Sequence, residues 1–287
     1  HARQRGDRLH GRAPEVEATV TRALLFTLLL TGVTLPVHTQ DRVVGGHVDT
    51  HPAAGSLPRE VAALASRPSP VWLAYQVPTA GGPEEMCEGR SARTAVRLAP
   101  AARMTVVAEL DRGLVHRLRI VTDGCDIDAE GAELTWLTGV TSAMSADWLT
   151  ALIAQAASRP GARDIAGSAL AVLAWHDGPQ PLATLIAIAR RDARPRLRGQ
   201  ALVLLARRAS AGVAATITSA VDTDPDAQVR QQALLALSRL PAAEGTPLLI
   251  RVAETHASPV VRREAVRWLG RSRDPRALDY LEALLAR

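Results

Sequence analysis

The chain has no lysine and no asparagine, and aromatic side chains make up only 3% of its 287 residues. All 34 basic residues are therefore arginine. These absences fit the codon bias of a GC-rich genome and do not mark an arginine-specific binding device. Scarce aromatics leave a core built mainly from the Ala, Leu and Val of the 47% hydrophobic content. Such a core suits close helix stacking better than a large β-sandwich. There are two cysteines and no Cys-x-x-Cys spacing, which removes the usual dithiol redox motif. Gly-x-Ser-x-Gly, a phosphate loop and His-Glu-x-x-His are missing as well, and with them three common enzyme signatures. The apolar run near the N-terminus is too short and too interrupted to span a bilayer well.

What the chain does have is a period. Residues 160–191, 192–223, 224–255 and 256–287 align without a gap at 32 residues. Ala169, Ala201, Ala233 and Ala265 share one column, and Leu170, Leu202, Leu234 and Val266 the next. Leu173, Leu205, Leu237 and Leu269 share a third, and Leu185, Ile217, Leu249 and Leu281 a fourth. Arg198, Arg230 and Arg262 repeat in the last three units. A fixed period of this size means stacked units, each unable to bury its apolar face alone.

Each unit divides into two helices. Asp226 is an N-cap for a helix over 227–240, and a second helix follows over 243–254. Ser258-Pro259 and Asp274-Pro275 each join a capping residue to a first-turn proline. The connector Gly270-Arg271-Ser272-Arg273 is short enough to force antiparallel neighbours. On the last helix Leu278, Leu281, Leu284 and Leu285 form one apolar stripe, with Asp279 and Glu282 outward. A single helix over 147–157 precedes the first unit. Its Ile153 falls in register with Leu185, the place of a cap on the stack.

The N-terminal half reads differently. Arg22, the apolar run 23–30 broken by Thr27, and a small-residue exit through Thr31 and Gly32 have the form of a secretory signal peptide. Val37 and Thr39 suit the −3 and −1 positions, giving a mature chain from Gln40; a retained anchor is the alternative. Residues 1–19 are polar, and the first Met is Met86, so translation is expected to start near Val16 or Val20. Residues 40–70 read as a linker with a short helix over 59–66. Within it, alternate side chains of His47-Val48-Asp49-Thr50-His51 face one way in an extended chain, as a metal grip requires. Nothing nearby supplies an outer shell, and a polar loop is the preferred reading.

From 71 to about 140 the apolar pattern alternates. Strands are expected over 71–77, 104–110 and 114–121, the last two joined by Asp111-Arg112-Gly113 as a hairpin. Leu114, Leu118 and Ile120 oppose Arg117 and Arg119, which implies a sheet with one covered face. A further pair is expected through 126–127 and 133–137, turning at Asp128-Ala129-Glu130-Gly131. Behind a signal peptide, Cys87 and Cys125 read as one disulfide closing a 38-residue loop. Such a loop is stabilised by about 3–4 kcal/mol. Asp126-x-Asp128-x-Glu130-Gly131 imitates the start of a calcium loop, but the twelfth position is Leu137 where a bidentate Glu belongs. An acid-rich turn explains the same residues, and no metal or cofactor is expected.

The repeat pattern resembles a known one. Val229-Arg230-x-x-Ala233-Leu234-x-Ala236-Leu237 and Val261-Arg262-x-x-Ala265-Val266-x-x-Leu269-Gly270 are similar to bacterial HEAT repeats, kin to those of phycobilisome lyases. The arrangement also resembles exported bacterial HEAT-repeat proteins that join a signal peptide and a small Cys-containing β segment to a helical stack. The fold class expected is mainly α. An α-solenoid of HEAT-like pairs over 143–287 follows a small antiparallel β module over 71–142, the linker over 40–70 and the leader over 1–39.

The resemblance implies a non-enzymatic scaffold that binds a protein partner, periplasmic or secreted. It also implies that the second helices line a concave surface. By register, Thr184, Thr216 and Tyr280 form an outward row there, with Arg191, Arg251 and Glu254 nearby. Two other readings stand beside it. Metal-dependent hydroxylases of HEAT type use His-Glu pairs, which are missing here, and a lyase-type chaperone role has no residue support beyond the repeat. The second is charge: residues from 159 onward carry 19 Arg against 12 acids, while 1–158 carry 15 against 17. A basic solenoid suits nucleic acid or an acidic ligand, although export and scarce aromatics oppose nucleic acid. Membrane contact is expected only through an uncleaved signal segment. The column Arg198, Arg230, Arg262 invites a phosphate, but its place at helix starts near Asp192 and Asp224 favours a structural ladder between units.

Overall fold

A computed structural model describes residues 43–80, 103–122, 125–156, 165–208 and 210–286. Their strands are β1 (Val43–Val44), β2 (His47–Pro52), β3 (Val71–Pro78), β4 (Arg103–Asp111), β5 (Leu114–Thr122), β6 (Ile127–Asp128) and β7 (Glu133–Thr138). Five of them form one sheet in the order β2-β7-β3-β4-β5. The pairs β3–β4 and β4–β5 are antiparallel, while β7 runs parallel to both β2 and β3. The sheet is therefore mixed, where a purely antiparallel one was expected. The pair expected through 126–127 and 133–137 does not form; β6 instead pairs with β1 in a separate two-stranded ladder.

The source of the difference is the segment read as a linker. It supplies β1, β2 and a helix, α1 (Leu57–Ala65), and β2 takes the edge place beside β7. An edge strand needs little apolar pattern and tolerates a terminal proline such as Pro52. The β4–β5 hairpin matches its turn signal. Arg112 and Gly113 have φ of 47° and 78°, the left-handed pair that follows the twist of adjoining strands.

Both faces of the sheet are covered, not one. Val71, Leu73, Tyr75 and Val77 of β3 enter a large core shared with the helices. Trp72 and Ala74, on the opposite face, meet Val107, Val121, Cys125, Ile127 and Trp136 in a small second core.

The helices follow as α2 (Ser142–Gln155), α3 (Ile165–Ala174), α4 (Pro179–Arg191), α5 (Pro195–Leu205), α6 (Ala211–Thr223), α7 (Ala227–Arg239), α8 (Ala242–Thr255), α9 (Pro259–Leu269) and α10 (Pro275–Leu285). First helices stack in one row, α3 on α5 on α7 on α9, and second helices α4, α6 and α8 in another. All four members of the Ala169 column and of the Leu173 column are buried. Asp226 caps α7, accepting from the Gln228 and Val229 N–H groups at 2.8 and 3.1 Å. Asp274 caps α10 through the Arg276 N–H at 3.0 Å. Ser258 makes no side-chain cap; its own N–H donates to His256 Nδ1 at 3.0 Å.

Helix α2 starts earlier than expected, where Thr141 Oγ1 accepts from the Met144 N–H at 3.2 Å. It packs against α3 and α4 on one side and β3 on the other. Ile153 is buried, so α2 caps the stack and joins it to the sheet. At the far end Leu278, Leu284 and Leu285 are exposed, while Thr246, Val252 and Ala253, one period earlier, are buried. The stripe on α10 thus occupies positions that a neighbouring unit covers in α8.

One close approach carries a prediction. A Cβ added at Gly245, in α8, would collide with the Leu237 carbonyl and press on the Leu240 side chain. Gly245→Ala should destabilise the protein by about 1–3 kcal/mol despite its better helix propensity. Urea unfolding checks this, and a variant of unchanged or higher stability would contradict the packing.

Candidate partner-binding surface

The expected outward row does not hold as a row. Thr184 and Tyr280 are half-buried, and Tyr280 packs against the core. Thr216 is only 1% exposed; its hydroxyl accepts from Arg190 Nη2 at 2.9 Å and donates to the Gly212 carbonyl at 2.8 Å. The position lies one residue before the buried Leu185 column, hence about 100° around the helix. An inner second helix has neighbours on both flanks, and they cover that position.

The charged residues fare differently. Arg191 and Glu254 are exposed, and Arg251 Nη2 meets Asp222 Oδ2 at 3.2 Å. They gather toward the C-terminal ends of α4, α6 and α8. Arg190 and Asp222, not singled out in the sequence, belong here too, since both share the Glu254 column. That column changes from Arg to Asp to Glu along the stack, a signal visible once the period is written out. Between α4 and α6 lies a groove of about 520 Å³, bordered by Arg190, Arg191, Ser219 and Thr223. It offers cationic and hydroxyl groups, and its carboxylates, Asp192 and Asp224, are already paired with Arg194 and Arg198.

The repeated arginines are structural. Nη1 of Arg198, Arg230 and Arg262 donates to the carbonyl six residues earlier, that of Asp192, Asp224 and His256, at 2.9, 2.7 and 2.8 Å. These carbonyls end the preceding helices and have no intrahelical partner. Each arginine thus fastens the entry loop to its own helix. Only Arg198 also crosses to the next unit, where its Nε and Nη2 grip Asp224 Oδ2 and Oδ1 at 2.9 and 2.8 Å. The ladder expected between units has this single rung. At the equivalent position 256 the residue is His, whose Nε2 lies 3.3 Å from the Val221 carbonyl of the preceding unit. Hydrogen bonding from Arg194 holds the Asp192 carboxyl below the usual carboxylate range, against the opposing effect of burial.

A buried polar chain sits where the sheet meets the stack. Tyr75 Oη and Ser145 Oγ are 2.6 Å apart, and Ser145 Oγ and His176 Nε2 are 2.7 Å apart. His176 Nδ1 lies 2.9 Å from the Val172 carbonyl. All three side chains are fully buried, so this Ser–His contact has no path to a substrate. Arg208 Nη1 closes it from outside by donating to the His176 carbonyl at 2.5 Å.

The remaining candidates are local structure. His51 Nδ1 is 3.9 Å from Asp49 and its Nε2 is 3.7 Å from Glu60, a polar strand edge. Asp128 Oδ1 accepts from the Glu130 N–H at 2.9 Å, and Glu130 and Gly131 take positive φ, which makes the acidic segment a tight turn. Among the described residues no three of His, Cys, Asp or Glu are placed to hold a metal ion. Cys125 is buried in the second core with Thr122 Oγ1 at 3.3 Å; Cys87 lies outside the described residues, as does the expected signal segment. A cavity of about 200 Å³ between α1, the β4–β5 hairpin and α2 is walled by Val61, Leu110, Leu114, Trp148 and Leu152. It presents no acid, base or ligating side chain.

A family model of HEAT repeats matches residues 182–255 and again 214–287, two spans offset by one 32-residue unit. No curated protein matches the chain. The stacked antiparallel pairs, the buried columns and the offset matches agree: residues 182–287 are built of units similar to HEAT repeats.

Proposed function

We propose that the protein is a non-enzymatic scaffold of the cell envelope or secreted fraction that holds a protein partner on the exposed faces of its solenoid. HEAT repeats in general serve as protein-interaction scaffolds, and that supports the reading. The observation that carries it is a division of labour within the unit. The repeated Ala and Leu columns are buried, and the Arg198 column is tied to backbone carbonyls. Residues that differ between units, such as Arg191 and Glu254, face solvent. Packing needs the first set, while side chains that face solvent are free to match a partner. The envelope assignment rests on the sequence of the segment from Arg22 to Gln40 together with the Cys87–Cys125 pair, which suits an oxidising compartment.

The test is chemical crosslinking in fractionated native cells, comparing wild type with Arg191→Glu/Arg251→Glu/Glu254→Arg. A crosslinked protein recovered with wild type and lost with the triple variant is the expected result. Partner capture unchanged in the variant sinks the placement on this face. An uncleaved, reduced chain found in the cytosol sinks the location.

A further inference from the structure

The junctions between the two helices of each unit carry a second arginine column, Arg207, Arg239 and Arg271, with Trp175 at the same position of the first unit. All three arginines are exposed, and exposed Arg273 follows on the last loop. Elsewhere on the stack Arg194, Arg198, Arg251, Arg267 and Arg276 each meet a carboxylate. The loop column has no such pair among the described residues, so it displays part of the cationic excess of the solenoid as a regular row.

Two of these guanidinium groups are already held in place. Arg207 stacks 4.9 Å from the Trp175 ring centre, and Arg271 5.0 Å from that of Trp268. Stacking fixes the plane of the guanidinium and leaves its N–H edge for a ligand, which lowers the ordering cost of binding. The same stacking covers one face of each indole, and the rings also pack against the core. No open platform is left for base stacking, on which single-stranded nucleic-acid binding depends. Stacked helices sit about 8–10 Å apart. An extended chain advances about 3.3 Å per residue, so carboxylates at every third residue meet successive arginines.

We propose that this edge binds an extended acidic polypeptide segment with Asp or Glu at every third residue, its carboxylates paired with Arg207, Arg239 and Arg271. The proposal rests on the scaffold reading and names the chemistry of the partner.

Fluorescence anisotropy on the full chain tests it, with a synthetic peptide of about 12 residues bearing Asp at each third position between Gly and Ser. The expected result is tighter binding of this peptide than of one with the same Asp residues in a block. Added salt should weaken it steeply. Arg207→Gln/Arg239→Gln/Arg271→Gln should weaken binding about tenfold, while Arg263→Gln, exposed on α9 away from the edge, should leave it within about twofold. Circular dichroism establishes whether the triple variant folds. Should it not fold, Arg239→Gln alone, which stacks on no ring, is expected to weaken binding about two- to threefold.

Equal binding of both peptides, equal loss with Arg263→Gln, or tighter binding of an oligothymidylate would overturn the proposal. If the triple variant binds peptide normally while a protein still crosslinks to the face carrying Arg191, Arg251 and Glu254, the edge fails and the scaffold stands. If no protein crosslinks to either surface, the scaffold reading itself fails.

Discussion

Replacing Asp224 by alanine is expected to destabilise the protein by about 3–5 kcal/mol, the range found when one partner of a buried ion pair is removed. The Arg198 and Asp224 side chains are only 10% and 7% exposed. Their two parallel N–H to oxygen contacts have the fork geometry of a strong pair. Alanine leaves the largely buried guanidinium without its paired carboxylate, with only the more distant charges of Asp226 and Asp192 acting on it. It also removes the acceptor for the Asp226 N–H at 3.0 Å, loosening the entry to α7. The sign distinguishes a buried pair from an exposed one. Arg198→Met/Asp224→Leu, which removes both charges, should recover most of the loss, because neither desolvation cost is then left uncompensated. Arg251→Ala, in the more exposed pair with Asp222, should cost less than about 1 kcal/mol.

Urea titrations of the four proteins decide the matter; a double variant no more stable than the single one would show that Asp224 acts through something other than this pair. The acid side gives a second readout. Burial raises the Asp224 carboxyl, but hydrogen bonds from Arg198 and the Asp226 N–H, with the charges of Arg198 and Arg230, outweigh it and hold it below its ordinary value. A depressed carboxylate contributes stability that is present above its unfolded pKa and lost as pH falls through the folded one. Asp224→Ala should therefore be less acid-sensitive than wild type below about pH 4.

Acidification from pH 6.5 to 4 should weaken the fold through His176 by about 3 kcal/mol, at 1.36 kcal/mol per unit of pKa difference. Burial pushes this imidazole down to about 4, with the Arg208 charge acting the same way and the Val172 carbonyl opposing. Below its unfolded pKa of about 6.5 the unfolded chain takes up a proton that the folded chain refuses. Stability from this group is thus complete above pH 6.5, declines toward pH 4 and is flat below.

The network explains why the ring stays neutral. The Val172 carbonyl can only accept, so Nδ1 carries the proton and Nε2 accepts from the Ser145 hydroxyl, which accepts in turn from Tyr75. A second proton on the ring would turn Ser145 and Tyr75 around in a fully buried site. Comparing wild type with His176→Gln between pH 7.5 and 4.5 isolates the effect from the carboxylates. Parallel stability curves for the two proteins would remove His176 as the cause. Ser145→Ala, which strands two polar groups at once, should cost about 2–4 kcal/mol at pH 7.

The helical stack was legible in the sequence because its information is local and repeated. Leu173, Leu205, Leu237 and Leu269 meet the same surroundings in each unit, so one contact rule is written four times. Asp226 and Asp274 act on N–H groups two residues away, and their caps follow from neighbours alone. The hairpin at Arg112-Gly113 is likewise set within the turn.

What the tertiary structure decided depends on partners distant in the chain. β2 looks like a loop because its order comes from β7, more than 80 residues later. Thr216 looks like an outward residue because nothing on its own helix covers it; Arg190, from the helix before, does. Arg198, Arg230 and Arg262 are one column in sequence, yet only the first bridges units, since only Asp224 stands across from it. His176, Ser145 and Tyr75 lie on separate elements, and no spacing joins them. Periodicity determines which positions are buried, since each unit repeats the same burial geometry. The pairing of charges and polar groups between elements is set by side chains that the chain order does not bring together, and folding alone makes them neighbours.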